Sequence, residues 1–586
     1  MQRRRVMRDV AVFVAVATGG ALLFLRSTSQ DYSFEDPGSD RVIAAPDPYL
    51  PGQVLVGFTA TAGRAPVREL LGVQSFRKLP IAGIELWSLP EDVTVQAAIQ
   101  RLRDLPEVRF AEPNMMFSAA ALPSDPRFPS QWGLHNTGRT VDGKVGDRDA
   151  DVDAPEAWAE TNTRGSGSLV AVIDSGTAYN HQDLAPNMWT NAKEDGARGS
   201  NGVDDDGNGY VDDARGWDWV DGDPDPSDPY GHGTHVAGTI AARTGDRAGI
   251  AGIAPESKLV GLRVLDAVGL GASDAIASAI VYASRAGANV VNLSIVGPRS
   301  ETVLAALAAV PDAVFVAAAG NDGVDLSASP TFPCAYELDN LVCVGASDST
   351  DALAAFSNRG GPVDIAAPGD RIISTSPSFV KPLVADFETD NGWSLGPGWS
   401  RPSDARGYFL SAGSPPAGSG ATTNDVVDLS GAVGCTLSFV AKAGLGTGTR
   451  AVIEAELEGG WEEIAFLDEA DNGQWGRHSF SAAPLDRTRS RLRYTLVGEG
   501  SIAVDDLTVK CVSGSARAYK FGSGTSMAAP FVAGVAALTR ALAPDASPSE
   551  IISALTAGGD KVTSLSGSVA CGCRLNANGA AKAVTR

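Results

Sequence analysis

The feature that most constrains this chain is a set of short, near-continuous apolar runs separated by segments of helical spacing. Leu169 to Ile173, Lys258 to Val264, Val290 to Ser294 and Val314 to Ala318 are strand-length, while Ser273 to Ala286 and Glu301 to Ala309 between them have helical periodicity. A strand that is apolar throughout has no solvent face, so both its faces must be covered. Alternation with helices supplies that cover and predicts an α/β domain built on a parallel sheet. Sheets of this kind present functional groups at the carboxyl ends of their strands.

The pattern breaks twice. From about Phe379 to Gly514 the apolar runs alternate like strands (Thr436 to Ala441, Arg450 to Leu457, Arg491 to Leu496, Ile502 to Val509), are separated by Gly-rich turns, and predict an all-β sandwich. Helical spacing returns at Ser526 to Leu542, so the sandwich reads as an insertion within the α/β domain. Before that domain, Gln53 to Phe58 and Val108 to Pro113 read as strands and Val93 to Leu105 as a helix, the grammar of a small α/β module. A loose stretch from Ser118 to Pro123 follows and looks open to cleavage. The expected organisation is a leader over residues 1–26, a polar linker over 27–49 and the small module over 50–118. The α/β domain then occupies 119–382 and 513–586, around an insert at 383–512.

The leader has Arg3, Arg4, Arg5 and Arg8 ahead of an apolar run from Val10 to Leu25, as in an export signal or an uncleaved anchor. Export places the protein outside the cell or in its envelope. Six cysteines fit that oxidising setting, with Cys334 near Cys343, Cys435 and Cys511 bracketing one region, and Cys571 near Cys573. The Cys571–Cys573 pair is the doubtful one because a Cys-Gly-Cys bridge is strained. A formal net charge of −23 argues against nucleic acid, whose phosphates need a cationic face.

Three segments carry candidate chemistry. Val170 to Gly176 (VAVIDSG) puts Asp174 at the end of an apolar strand; Gly231 to Gly238 (GHGTHVAG) puts His232 where a helix opens; Gly524 to Gly534 (GTSMAAPFVAG) puts Ser526 at a helix start behind glycines. A lone strand-end Asp is usually a turn residue and a lone helix-start Ser usually a cap. Together, in the order Asp, His, Ser, the three segments resemble the subtilisin-like serine proteases over about Asp125 to Ser378 and Tyr519 to Arg586. The resemblance implies a secreted serine endopeptidase that hydrolyses proteins or peptides through an acyl-enzyme. Its nucleophile would be Ser526, its general base His232, and its orienting carboxylate Asp174. His235, the second histidine of the motif, is then structural.

Further roles follow from the same resemblance. Asn321, in Ala317 to Asp322 (AAAGND), takes the place of the side-chain amide that polarises the scissile carbonyl, with the Ser526 backbone N–H as its partner. Val291 to Pro298 resembles the edge strand that pairs with extended substrate, which implicates Ser294, Ile295, Val296 and Gly297, with Ala318 and Gly320 on the facing segment. Val296 stands where the family usually has glycine. The module over 50–118 resembles subtilase propeptides and ends in Ala111-Glu112-Pro113-Asn114, which implies a folding aid and inhibitor whose tail occupies the substrate cleft.

Residues 204–213 (DDDGNGYVDD) form the metal candidate. Asp204, Asp206 and Asn208 alternate oxygen ligands, Gly209 permits a sharp turn, and the Tyr210 carbonyl follows. The arrangement resembles the first half of an EF-hand loop, but its twelfth position is Arg215, so Asp212 or Asp213 would close the shell around structural Ca²⁺. Asp386 to Trp393 and Val504 to Val509 resemble the opening and closing strands of jelly-roll modules attached to secreted enzymes. The sandwich is expected to dock substrate, a surface or a glycan, or to shield the cleft. The rival reading is a catalytically inactive scaffold or adhesin that binds through the sandwich. A metalloprotease is disfavoured because the chain has no HExxH.

Overall fold

The computed structural model describes residues 49–585 except 60–62, 74, 80–82, 91, 116–121, 162, 386, 389–391, 406, 417–418, 431, 458–459, 483–484, 486–487 and 514–516. The expected leader and most of the expected linker lie outside the described residues, as does 118–121 of the stretch expected to be cleavable. The described residues fall into two compact units, one within 35–122 and the other within 123–586.

The smaller unit is a four-stranded antiparallel sheet in the order Ser75–Lys78, Ile84–Ser88, Tyr49–Phe58, Val108–Met115. Val54, Val56 and Phe58 point to one face, as period-2 alternation requires, and meet Val95, Ala98 and Leu102 of the helix Val95–Arg103. The Thr94 side chain accepts the Ala97 N–H and caps that helix. The strands and the second helix match the sequence reading. The short helix Arg64–Glu69 and the strands Ser75–Lys78 and Ile84–Ser88 were not anticipated, being too short for periodicity to reveal.

The larger unit is built on a nine-stranded sheet. Its order is Asp560–Lys561, Cys573–Arg574, Ile365–Pro368, Leu341–Ser347, Val314–Ala318, Val290–Leu293, Leu169–Asp174, Lys258–Arg263, Gly216–Asp218. All pairings are parallel except that of the Asp560–Lys561 edge. Alternate residues of Leu169–Asp174 enter different cores. Val170 and Val172 pack with the helices His232–Ala241 and Thr525–Leu542, while Ala171 and Ile173 pack with Ser273–Arg285 and Glu301–Ala308. The expected α/β layering is therefore present, and Asp174 ends a strand whose neighbours lead away in both directions, where such sheets place ligands.

The inserted region is an all-β sandwich of a five-stranded and a six-stranded sheet around Leu437, Phe439, Leu492, Tyr494, Val504 and Leu507. It hangs from a two-stranded antiparallel neck, Ile372–Ser376 with Ala518–Gly522, and its first strand is Phe379–Ala385. Its two longest strands, Ala432–Leu445 and Gly500–Ser513, are neighbours joined by the Cys435–Cys511 disulfide. Cys334 pairs with Cys343, and Cys571 with Cys573, so the bridge doubted on grounds of strain is formed.

Candidate active site

The His232 imidazole and the Asp174 carboxylate meet because a helix and a strand end on the same rim of the sheet. Nδ1 of His232 lies 2.8 Å from Oδ1 and 2.9 Å from Oδ2 of Asp174. Asp174 is fully buried and also accepts the Ser175 N–H at 2.7 Å. Burial presses the imidazole toward its neutral form, but the charge and hydrogen bond of Asp174 outweigh it and hold the His232 pKa above its ordinary value; Lys520 opposes and Asp228 assists. A proton on Nδ1 toward Asp174 leaves Nε2 as the nitrogen able to accept another.

The helix bearing His232 has no side-chain cap at Gly231, which sits in the left-handed region at φ 90°. Its first turn is organised instead by Asp228, a fully buried carboxylate. Oδ1 accepts from Ser175 Oγ at 2.8 Å, Tyr230 N at 3.1 Å and Gly231 N at 2.6 Å; Oδ2 accepts from Thr234 N at 2.8 Å and Thr234 Oγ1 at 2.6 Å. Ser175 Oγ in turn accepts the Gly233 N–H at 3.0 Å. Close approach is obligatory here, since a Cβ on Gly233 would lie 2.1 Å from the Gly176 carbonyl oxygen. Asp228 was missed in the sequence because an Asp among prolines reads as a turn residue. His235 is buried with Nε2 bonded to the Ile372 carbonyl at 2.9 Å, tying the helix to the neck strand.

Ser526 stands in the first turn of Thr525–Leu542, delivered by the returning neck strand Ala518–Gly522. Its backbone N–H is among those for which a helix offers no internal acceptor. The hydroxyl is turned to the Ser294 carbonyl at 3.1 Å, and Ser294 Oγ donates to the Ser526 carbonyl at 2.9 Å. Hydrogen bonds of a catalytic hydroxyl are often unformed before substrate arrives. Asn321 lies beside this turn, its Oδ1 accepting from Thr525 N at 2.8 Å and Thr525 Oγ1 at 3.1 Å. Both lone-pair directions are thereby used, which leaves Nδ2 as the outward-facing end. Thr525, also missed from sequence, accepts the Gly320 N–H at 2.9 Å and so locks the two segments together.

The expected substrate-binding residues divide. Ile295 is half-buried and Val296 exposed, between Ser294 and Gly297. Gly297 exchanges both backbone hydrogen bonds with Phe332, at 2.8 and 3.1 Å, so its polar groups are committed within the protein. Gly320 is likewise committed, to Thr525 and to the Asn358 N–H, and Ala318 is buried at its strand end. Of this set, Ser294 is the residue bonded to Ser526, and Ile295 and Val296 follow it toward the surface.

In the acidic loop the structure brings Asp206 and Asp213 together with Glu194, a third carboxylate from outside the motif. Glu194 is buried, its Oε1 accepts the Asp205 and Asp206 N–H groups, and its Oε2 has no partner. Burial and the neighbouring carboxylates push its pKa up. Asn208 presents its amide to Asp213 Oδ2 at 2.7 Å. Asp204 and Asp212 are turned elsewhere: Asp204 accepts the N–H groups of Gly207, Asn208 and Gly209, and Asp212 those of Asn201 and Gly202. They brace the loop instead of joining the cluster. The Tyr210 ring packs against Trp217, Trp219 and Tyr282.

A second acidic site was not anticipated. Asp125 and Asp183 are both buried and straddle the loop after the His232 helix, accepting Gly245 N at 2.7 Å and Ile250 N at 2.9 Å. One oxygen of each, Oδ1, is buried without a partner. Burial raises both pKa values, that of Asp183 to about 7, and Asp246 adds to the repulsion. Two orphaned buried carboxylate oxygens, each within reach of the Asp246 charge, suit a hard cation.

Residues 165–396 and 433–565, more than half of the 586, match the subtilase family, and residues 39–114 match the fervidolysin N-terminal prodomain. The chain is 39% identical over 286 residues to a thermophilic serine proteinase of Bacillus sp. (strain AK1), covering 48% of this chain and 60% of that protein. It is 37% identical over 230 residues to thermitase of Thermoactinomyces vulgaris, covering 39% of this chain and 71% of thermitase. With an extracellular protease of Xanthomonas campestris pv. campestris it shares 34% identity over 369 residues, 57% of each chain. The chain thus spans less than two thirds of the first and third of these relatives. A family match over most of its length, joined to a parallel sheet that sets His232 on Asp174, leads to one conclusion: the chain belongs to the subtilase family.

Proposed function

We propose that the protein is an exported serine endopeptidase, and the observation that carries the reading is the His232–Asp174 pair set at the rim of the sheet beside the helix start of Ser526. The Ser526 hydroxyl turns from Ser294 toward His232 and gives its proton to Nε2 as Oγ bonds to the scissile carbonyl carbon. The developing oxyanion is received by Asn321 Nδ2 and the Ser526 N–H. The imidazolium, stabilised by Asp174, then protonates the leaving amine as the C–N bond breaks. Water, deprotonated by the same histidine, releases the acyl group and restores the serine. Ser294, Ile295 and Val296 offer an edge to an extended peptide.

Calcium is assigned a structural part. Glu194, Asp206 and Asp213 would hold one ion, and the orphaned oxygens of Asp125 and Asp183, whose carboxyls the Asp246 charge also raises, would take part in holding another, since a cation relieves such repulsion. The prodomain match supports synthesis as a zymogen that its own N-terminal unit inhibits. Export is supported by the basic-apolar leader and by the extracellular protease among the relatives. Glycan docking by the sandwich is not part of this reading. Casein digestion by the purified protein, abolished by a serine-directed inhibitor and insensitive to a metal-directed one over the initial rate, is the expected result. Digestion unaffected by the serine-directed inhibitor would refute the reading.

A further inference from the structure

The segment that leads into His232 is covered on its outer side by the inserted sandwich. Pro226, Ser227, Asp228 and Pro229 are all buried, although they lie in an irregular loop. On the inner side they press on the exit of the Asp174 strand: Thr177 N donates to the Pro226 carbonyl at 2.8 Å, and a Cβ on Gly176 would lie 2.4 Å from the Ser227 carbonyl oxygen. On the outer side the sandwich supplies two seats. Lys510, half-buried on its strand Gly500–Ser513, donates from Nζ to the Pro229 carbonyl at 2.9 Å. The same ammonium lies 3.6 Å from the centroid of the Phe379 ring, on the first sandwich strand. Gly434, at φ 55°, faces Ser227 so closely that a Cβ there would be 2.8 Å from its hydroxyl oxygen.

We infer that Lys510 is a positioning residue for His232, and that the sandwich is a brace of the active site more than an appended docking module. The Pro229 carbonyl lies between Asp228, which holds the Tyr230 and Gly231 N–H groups, and the residues Tyr230, Gly231 and His232 that it leads into. A half-buried ammonium bonded to it, and stacked on an aromatic face, is a charge-assisted contact in a partly dry setting. Held there, Asp228 can reach both Ser175 and Thr234, and the imidazole keeps its register against Asp174. Misplacement of a reacting group by about 1 Å can cost roughly 10² in rate. The groups facing His232 are Asp174 from the sheet, Asp228 from the loop, Tyr230 at 6.3 Å between ring centroids, and Lys520 from the neck. Lys510 acts on the loop backbone and not through the imidazole's charge.

The inference rests on the peptidase reading, and the test separates the two. The purified enzyme is compared with its Lys510→Met, Lys510→Arg and Gly434→Ala variants, with active sites counted by titration with a fluorophosphonate. Lys510→Met is expected to lower kcat per titrated site about tenfold with KM within twofold. The acidic limb of the pH profile should broaden or move by less than half a unit, and the rate of phosphonylation should fall in step with kcat. Lys510→Arg should recover most of the loss, and Gly434→Ala, which wedges the sandwich away from Ser227, should reproduce it. A Lys510→Met enzyme with unchanged kcat per site, or one whose loss is entirely in the number of active sites, would overturn the inference. A wild-type protein that does not react with the probe would overturn the peptidase reading itself.

Discussion

Ser175 donates a hydrogen bond of 2.8 Å to Asp228, joining the strand end that carries Asp174 to the loop that delivers His232. Through this contact the two halves of the Asp–His pair share one buried carboxylate, with Thr234 and the Tyr230 and Gly231 N–H groups as its other donors. Asp228→Asn keeps the shape but turns one oxygen into a donor facing donors. It should lower kcat by roughly 10–10² through loss of register, with KM little changed. Ser175→Ala, which removes one link, should cost less. Steady-state kinetics on a short peptide checks both, and a wild-type kcat in Asp228→Asn would remove the claim.

In the proposed mechanism Asn321 acts on charge that develops only during reaction. Replacing it with Ala should lower kcat by about 10²–10³ with little change in KM. Thr525→Val, which removes the hydroxyl bonded to Asn321 Oδ1 while leaving the Thr525 N–H bond, should lose part of that effect. An Asn321→Ala enzyme altered only in KM would reassign the residue to ground-state binding.

Much of this site was readable from the chain, and what was not has a common physical cause. Asp174, His232 and Ser526 each sit in a short local pattern of apolar strand or glycine-bounded helix start, so neighbouring residues announce their geometry. The alternation that produced the parallel sheet is likewise local. Asp228, Thr525 and Glu194 take their meaning from partners 53, 205 and 12 residues away, respectively Ser175, Gly320 and Asp206. Periodicity carries no information across such gaps. The acidic loop was read as a linear run of ligands, whereas folding turns Asp204 and Asp212 onto backbone N–H groups and imports Glu194. The sandwich was recognised as a fold, but its seat on Ser227 and Pro229 is a tertiary contact that no strand pattern encodes.

Calcium should stabilise without taking part in the chemistry. An ion bound only by the folded protein adds about 2.7 kcal/mol when present at 100 times its Kd. A chelator should therefore lower the melting temperature before it lowers the initial rate. Glu194→Gln and Asp183→Asn should each reproduce part of the effect and add together, because they belong to separate sites. Calorimetry with and without chelator decides, and unchanged melting in excess chelator would remove the assignment.

His235 makes a separate contribution to pH dependence. Burial, and then Lys520, push its pKa down to about 3, against an ordinary value near 6.5. Between those values the unfolded chain binds the extra proton, so the stability that neutral His235 contributes is present above about pH 6.5. It is lost as pH falls toward 3, by at most about 1.4 kcal/mol per unit. Asp151 and Asp218, whose buried carboxyls are raised to about 7, pull in the opposite direction. The informative quantity is thus the difference between wild type and His235→Gln in denaturant titrations from pH 7 to 4. That difference should shrink as pH falls; a constant difference would contradict the assignment.

The central claim is that Ser526 is a nucleophile activated by His232, and reaction with a fluorophosphonate tests it most directly. The account predicts a single covalent adduct, located at Ser526 by peptide mass spectrometry, formed in step with loss of casein hydrolysis. It should be absent from Ser526→Ala and slowed in His232→Ala by orders of magnitude, and each variant should lose about 10⁶ in kcat, since members of such a unit act together. No adduct at Ser526 in an active preparation, or substantial hydrolysis surviving in Ser526→Ala, would contradict it.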